Sequence, residues 1–212
     1  MAVWRRITAA RDCTETVFQH KIQDIYFLNV SPSYTRQQGF ERILFVGLNA
    51  NENLVEKQVF TIETKSAQAT QKLGEKLGRL LHGQALVTLE GDLGCGKTTF
   101  SQGLARGLAV PEGYYVTSPS FAIINEYPAR LPFYHMDFYR LNDAGELEDL
   151  GFFDILREDS VIAIEWAAKF PEVFNNLPHL EIKFSYIDTN LREISLIAYG
   201  QAYENLIQDL VR

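Results

Sequence analysis

The sequence predicts an α/β protein built on a central, mostly parallel β-sheet, with helices on both faces and antiparallel strands at the edges. Three observations carry that prediction. Ala85-Leu86-Val87-Thr88-Leu89 is an apolar, partly β-branched run that leads into a glycine loop and then into apolar residues at helical spacing, Phe100, Leu104 and Leu108. Val161-Ile162-Ala163-Ile164 is a continuous apolar run, the pattern of a strand buried on both faces, and it ends in Glu165. Phe121–Tyr127 and Phe133–Tyr139 are two strand-like runs around a proline-flanked connection, as in an antiparallel hairpin.

The glycine loop is the most informative stretch. Gly91-Asp92-Leu93-Gly94-Cys95-Gly96-Lys97-Thr98 fits G-x-x-x-x-G-K-[ST], and it stands between a strand and a helix as that motif requires. Its glycines allow backbone angles that other residues resist, so successive N–H groups can turn inward as an anion-binding concavity. The helix beginning near Lys97 adds the positive end of its dipole. Lys97 would reach the β- and γ-phosphates of a purine nucleoside triphosphate, and the Thr98 hydroxyl would bind Mg²⁺. The expected architecture is therefore a P-loop NTPase fold.

Composition sets the frame. The chain has 212 residues, of which 46% are hydrophobic and 22% charged, within the range of globular proteins. No apolar run approaches 18 residues, so no membrane span is expected. Arg5 and Arg6 are followed by Thr8, Arg11 and Asp12 rather than by an apolar stretch, so no signal peptide is read. The net charge is −7. Residues 1–57 carry seven basic and six acidic side chains, so the acidic excess lies in residues 58–212. That balance argues against tight RNA binding by the chain alone. Cys95 lies inside the phosphate loop, where a disulfide would obstruct nucleotide binding, so a reducing cytoplasm is expected. A thiol near a helix N-terminus can have a lowered pKa, which makes redox sensitivity of Cys95 one reading. A small residue tolerated in the loop is the other.

Taken in order, residues 1–57 form an N-terminal extension of unassigned role. Ile22–Val30 reads as a strand, Ser31–Tyr34 as a turn, Arg42–Gly47 as a second strand and Asn49–Asn53 as a polar linker. Met1 and Met136 are the only methionines, so the extension is either genuine or reflects a start codon placed upstream of a non-Met start. From Gln58 the pattern sharpens into the expected ATPase domain, residues 58–212. Gln58–Thr64 alternates as a strand. Thr64 or Ser66 can cap a helix whose apolar stripe is Ala69, Leu73, Leu77, Leu80 and Leu81, ending at His82-Gly83. After the loop and its helix, Thr117-Ser118-Pro119-Ser120 is a hydroxyl-rich turn, either ordinary or able to sense a γ-phosphate.

Asp137 ends an aromatic strand, where a sheet presents residues to a ligand. It fits a general base, a ligand of metal-bound water or a loop cap. His135 shares its face and reads as a packed, hydrogen-bonded histidine. Glu146–Gly151 is acidic and helical, with Asn142 or Asp143 as its cap. Glu165 ends its strand where P-loop enzymes hold the metal, with Trp166 near the site or closing the core. Leu180–Tyr186 and Glu193–Tyr199 are strands joined at Asp188-Thr189-Asn190. Gln201–Val211 is a closing amphipathic helix.

Four segments in this order resemble the TsaE (YjeE) family, the small P-loop ATPases of bacterial tRNA threonylcarbamoyladenosine (t6A) synthesis. They are GDLGCGKTTF at Gly91–Phe100, TSPSF with NEY across Thr117–Tyr127, YHMDFYRL at Tyr134–Leu141 and IEW at Ile164–Trp166; ELEDLG at Glu146–Gly151 also matches. The resemblance implies that Gly94 to Thr99 cradle the ATP phosphates. It implies that Thr98 and Glu165 bind Mg²⁺, that Asp137 assists hydrolysis and that Ser118 and Ser120 belong to a switch segment. It also implies that residues near Ala67, and Arg192, contact nucleotide. Implied partners are TsaD and TsaB, with TsaC in the pathway and tRNA reached through the complex. Cys95 stands where the family has alanine and Ser120 where it has threonine. A small-molecule kinase on the same scaffold is the alternative; the segment Asn142–Asp159 offers it only Arg157 as an arginine.

Overall fold

The computed structural model describes residues 36–37, 40–48 and 54–212. The expected strand Ile22–Val30, the turn at Ser31–Tyr34 and the linker at Asn49–Asn53 lie outside those residues. The chain divides into two units, residues 1–31 with 46–56, and residues 32–45 with 57–212. The described helices and the candidate site lie in the second.

The strands in chain order are β1 (Arg36–Gln37), β2 (Phe40–Leu48), β3 (Leu54–Thr64), β4 (Ala85–Glu90), β5 (Ile124–Tyr127), β6 (Phe133–Asp137), β7 (Val161–Glu165), β8 (His179–Tyr186) and β9 (Arg192–Tyr199). The helices are α1 (Ala67–Leu80), α2 (Lys97–Gly107), α3 (Glu146–Asp149), α4 (Phe152–Ile155), α5 (Pro171–Phe174) and α6 (Gln201–Val211), with a 3₁₀ turn at Ala167–Lys169. The expected strand at Arg42–Gly47 falls within β2, and Gln58–Thr64 lies within the longer β3.

From β3 onward the sheet runs β3-β9-β8-β4-β7-β6-β5. Its centre is parallel: β4 pairs with β8 on one side and β7 on the other, and β7 pairs with β6. Antiparallel pairs flank that centre, β3–β9 and β9–β8 at one end and the β5–β6 hairpin at the other. Every residue of β4, β6 and β7 is buried, which explains why β4 and β7 read as continuous apolar runs in the sequence.

Each face of the sheet has its own core. On one, Val87, Leu89, Ala163 and Ile182 meet Leu77, Phe100, Leu104 and Ile207 from α1, α2 and α6. On the other, Leu86, Met136, Ile162 and Ile164 meet Leu147, Phe152, Phe170 and Phe174. Alternation along β4 sends Val87 and Leu89 one way and Leu86 the other, as the two-residue period of a strand demands.

Helices α1 and α2 touch backbone to backbone. Gly74 and Gly78 of α1 face Gly103 and Gly107 of α2, each pair one helical turn apart. A Cβ on Gly103 would stand 2.0 Å from the Gln71 carbonyl oxygen, and one on Gly107 would stand 2.3 Å from that of Glu75. Ser66 caps α1 by accepting from the Ala69 N–H at 3.1 Å, which decides between the two capping candidates.

Three local expectations are corrected. The strand expected from Phe121 begins at Ile124, because Ile123 takes a left-handed backbone (φ 66°) and Phe121 is exposed in the preceding turn. The acidic helix is only four residues long. Neither Asn142 nor Asp143 caps it; its start is Gly145, and Glu146 reaches back to accept from the N–H groups of both expected caps.

Candidate functional site

The loop after β4 needs its glycines. Gly91, Gly94 and Gly96 have φ of 138°, 79° and 119°, backbone that side-chain-bearing residues rarely adopt. At Gly91 a Cβ would also meet the Phe184 carbonyl oxygen at 2.5 Å. The loop delivers the chain into α2 with no side-chain cap and no acidic residue in the first turn. The first N–H groups of a helix have no partner within it, so this end is open to an anion. Lys97 folds back over the loop, with Nζ donating to the carbonyl oxygens of Gly91 at 2.7 Å and Asp92 at 3.0 Å. Its ammonium also lies 4.2 Å from the centre of the Trp166 ring, within the range of a cation–π contact.

The acids arrive from neighbouring strand ends. In the parallel pair β6–β7, Asp137 stands opposite Glu165, and in β4–β7 Glu165 stands opposite Leu89, just before the loop. The Thr98 hydroxyl donates to Glu165 Oε1 at 2.8 Å, and His135 Nε2 lies 3.0 Å from the same oxygen. His135 is fully buried and stacked on Phe133, which matches the packed, hydrogen-bonded reading; its Nδ1 has no hydrogen-bond partner. Asp137 accepts from the Ser118 hydroxyl at 2.6 Å through Oδ2 and from the Tyr139 N–H at 3.0 Å through Oδ1. It therefore caps its own turn and at the same time faces the hydroxyl-rich loop. The left-handed Ile123 holds that loop to β6. Its N–H donates to the Pro119 carbonyl, and its carbonyl accepts from the Asp137 N–H.

A cleft of about 440 Å³ joins these parts. Gly94, Gly96, Lys97, Thr98, Thr99, Ser118, Ser120, Asp137 and Glu165 all line it, as the sequence reading grouped them, and Leu93, Tyr139, Arg140 and Trp166 complete the wall. Gly91 and Asp92 act behind the wall, holding Lys97. Arg192 supports the loop from outside by donating to the Cys95 carbonyl at 2.9 Å. Ala67 is exposed at the start of α1 and is not among the lining residues. Its helix meets the loop through Thr70, which is hydrogen-bonded to Thr64 at 2.9 Å and lies close to Gly96.

The reading of Cys95 as a thiol of lowered pKa is corrected. The side chain is buried, with Sγ 3.8 Å from Lys97 Nζ. Burial pushes the thiol up, outweighing the pull of Lys97.

Arg140 and Tyr139 were missed as site residues, although both stand in the segment YHMDFYRL; nothing in spacing distinguishes them from surface residues. Glu90 was missed as well. It ends β4, is buried, and accepts from the Ala168 N–H at 2.7 Å. Burial first of all raises its pKa to about 7. That bond ties the turn after Glu165 to the phosphate-loop strand. In the same turn Trp166 is left-handed (φ 65°), an unusual state for so bulky a residue, and its N–H donates to the Leu89 carbonyl.

A glycine loop between a buried strand and a helix, with an acid on the adjacent parallel strand, defines an α/β protein of the P-loop kind. The family described as threonylcarbamoyl adenosine biosynthesis protein TsaE matches residues 64–194, and the chain belongs to that family. Similar curated proteins bear the name tRNA threonylcarbamoyladenosine biosynthesis protein TsaE. The one from Bacillus subtilis is 44% identical over 130 residues, 60% of this chain and 78% of that protein. The one from Nostoc is 33% identical over 154 residues, 71% and 93% of the two chains. The crystal structure of YdiB from Bacillus subtilis superimposes with a TM-score of 0.63 at 32% identity, covering 74% of this chain and 96% of that one.

Proposed function

We propose that residues 58–212 form a Mg²⁺-dependent ATPase that serves the t6A modification of adenosine 37 in ANN-decoding tRNAs, acting on a complex of TsaB and TsaD. The observation that carries this reading is the convergence of Lys97 and Thr98, at the start of α2, with Glu165 and Asp137 at two neighbouring strand ends. The names of the relatives supply the pathway.

The donor set suits Mg²⁺. It offers a hydroxyl and a carboxylate, both hard oxygen donors, with room for substrate phosphates. No cluster of three His, Cys, Asp or Glu exists among the described residues, and Mg²⁺ commonly binds through one or two carboxylates plus phosphates. Thr98 and Glu165 would hold the ion, and when bound it would offset negative charge on the phosphates. The protein's own groups do the rest. The loop N–H groups and the α2 N-terminus orient the triphosphate, and Lys97 exchanges its two carbonyl partners for phosphate oxygens. Asp137 takes a proton from the attacking water once the Ser118 hydroxyl releases it. A water oxygen then bonds to the γ-phosphorus as the bond to the bridging oxygen breaks and ADP leaves. Bound γ-phosphate would order the Ser118–Ser120 loop and hydrolysis would free it, a switch that partners can read.

The acidic net charge of −7 favours tRNA contact through partner proteins rather than by this chain alone. No helix among the described residues is long and apolar enough to cross a membrane, and we place the protein in the cytoplasm with that pathway.

The test is multi-turnover t6A formation with TsaB, TsaC, TsaD, tRNA, threonine, bicarbonate and ATP. Wild type sustains repeated turnover, whereas Lys97→Ala neither binds ATP nor sustains it. Asp137→Asn keeps ATP binding but slows hydrolysis by about 100-fold or more. ATP hydrolysis with no effect on the t6A curve would retain the P-loop chemistry and remove the pathway.

A further inference from the structure

We infer that Arg140 is a catalytic cation supplied by this chain itself, closing on the γ-phosphate as charge develops during hydrolysis. The inference rests on the ATPase reading above and assigns a residue that reading does not use.

Four observations carry it. Arg140 lines the same cleft as Lys97, Thr98, Ser118 and Asp137. Lys97 and Arg140 are the two cations of that lining, against the two carboxylates of Asp137 and Glu165, so the wall has no excess positive charge before a polyanion enters. A triphosphate in phosphoryl transfer calls for cationic groups around the moving phosphoryl, and Lys97 alone with a metal is a sparse set. Among the described residues Arg140 makes no ion pair, so no carboxylate holds it back from phosphate.

The fourth observation is where the guanidinium rests. It lies 4.2 Å from the ring centre of Phe121, which is 83% exposed and follows directly on Ser118-Pro119-Ser120. An exposed phenyl ring beside a switch loop gains little by burial there, but its face can park a planar cation. Three residues before Arg140, Asp137 is bonded to Ser118 of the same loop. When γ-phosphate draws that loop in, Phe121 and Arg140 move with it, so the cation reaches the γ-oxygens together with the loop. Water attack forms the O–Pγ bond, the bridging O–Pγ bond breaks and the water proton passes to Asp137. Arg140 takes no proton and forms no bond; its fork of N–H donors holds the equatorial oxygens while their charge is redistributed.

The experiment uses the full chain, bare and with TsaB and TsaD. Affinities for ADP and for ADP–aluminium fluoride, a mimic of the transferring phosphoryl group, are measured by titration for wild type, Arg140→Ala, Arg140→Lys and Lys97→Ala. Arg140→Ala should bind ADP within about threefold of wild type, yet lose about 100-fold in kcat and in its preference for the fluoride complex. Methylguanidine should restore part of both, and Arg140→Lys should fall between. An unchanged preference for ADP–aluminium fluoride in Arg140→Ala overturns the inference, whether or not kcat falls, because a merely structural role would lower activity without touching that ratio. If Lys97→Ala still binds ADP as wild type does, the P-loop reading fails and the inference with it. That result is separable from the first, which leaves Lys97 essential.

Discussion

The two sides of α2 are built on opposite principles. Toward α1, the helix is packed through glycines, with backbone in direct contact at Gly74, Gly78, Gly103 and Gly107 and no room for a methyl group. Toward the cleft, the groups at its start are polar, and they partner one another: Lys97 with loop carbonyls, Thr98 with Glu165, Ser118 with Asp137. The first side has one low-energy arrangement because close-packed atoms cannot shift independently. The second consists of hydrogen bonds that a ligand can replace one for one, at little net cost. A rigid seam thus fixes where the helix N-terminus points, while the groups around that terminus stay exchangeable.

The contrast can be broken most forcefully at the seam. Gly103→Ala places a Cβ 2.0 Å from the Gln71 carbonyl oxygen. It should cost about 3 kcal/mol or more in denaturant unfolding, despite the roughly 1 kcal/mol that alanine gains over glycine in a helix. A stabilised Gly103→Ala protein would mean the helices separate freely, and the seam would not be rigid.

The next effect is a pH dependence on the cleft side. The Glu90 carboxyl is raised from 4.5 to about 7 by burial, so between those pH values the folded chain holds a proton that the unfolded chain releases. Stability should therefore fall as pH rises from 4.5 to about 7 and level off above, by about 3 kcal/mol from this group. Glu90→Gln keeps an oxygen for the Ala168 N–H and should flatten that part of the profile. Unfolding curves of both proteins at a series of pH values check it; an unchanged slope would place the proton elsewhere.

Smaller again is Ser66→Ala, which removes the cap of α1 at the outer end of the seam. It should cost about 1 kcal/mol, with nucleotide affinity unaltered in titration. The smallest effect is expected at the rim of the cleft, where Phe121→Ala should change the unfolding free energy by less than about 0.5 kcal/mol. A large loss there would show that the exposed ring packs against something that holds the fold together.

Much of the site was legible because a phosphate loop is local. Its glycines, lysine and threonine lie within eight consecutive residues, Gly91 to Thr98, and each type is required by backbone geometry or charge. The place of Glu165 was legible for a related reason: it ends a continuous apolar run, and the end of a buried strand is where a sheet presents side chains to a cleft. Arg140, Tyr139 and Glu90 were not legible. Their roles depend on what stands across from them, namely Phe121, Trp166 and Ala168, from 19 to 78 positions away. Between the two readings of Cys95, burial decides for the small residue tolerated in the loop, which its place near a helix start could not show. The strand expected from Phe121 begins three residues late because a left-handed Ile123 is imposed by bonds to Pro119 and Asp137, against its own preference.

By itself, then, the sequence determined the α/β class, the parallel strands β4 and β7 that carry the glycine loop and Glu165 at their ends, and the edge hairpin. These follow from periodicity and from residue types that act within one or two elements. Tertiary structure alone decided the glycine seam between α1 and α2, the shared oxygen of Glu165 between Thr98 and His135, the bond between Asp137 and Ser118, and the place of Arg140. Each of these joins residues distant along the chain. Distance in sequence carries no information about side-chain contact until the sheet order β8-β4-β7-β6 has set the strand ends side by side.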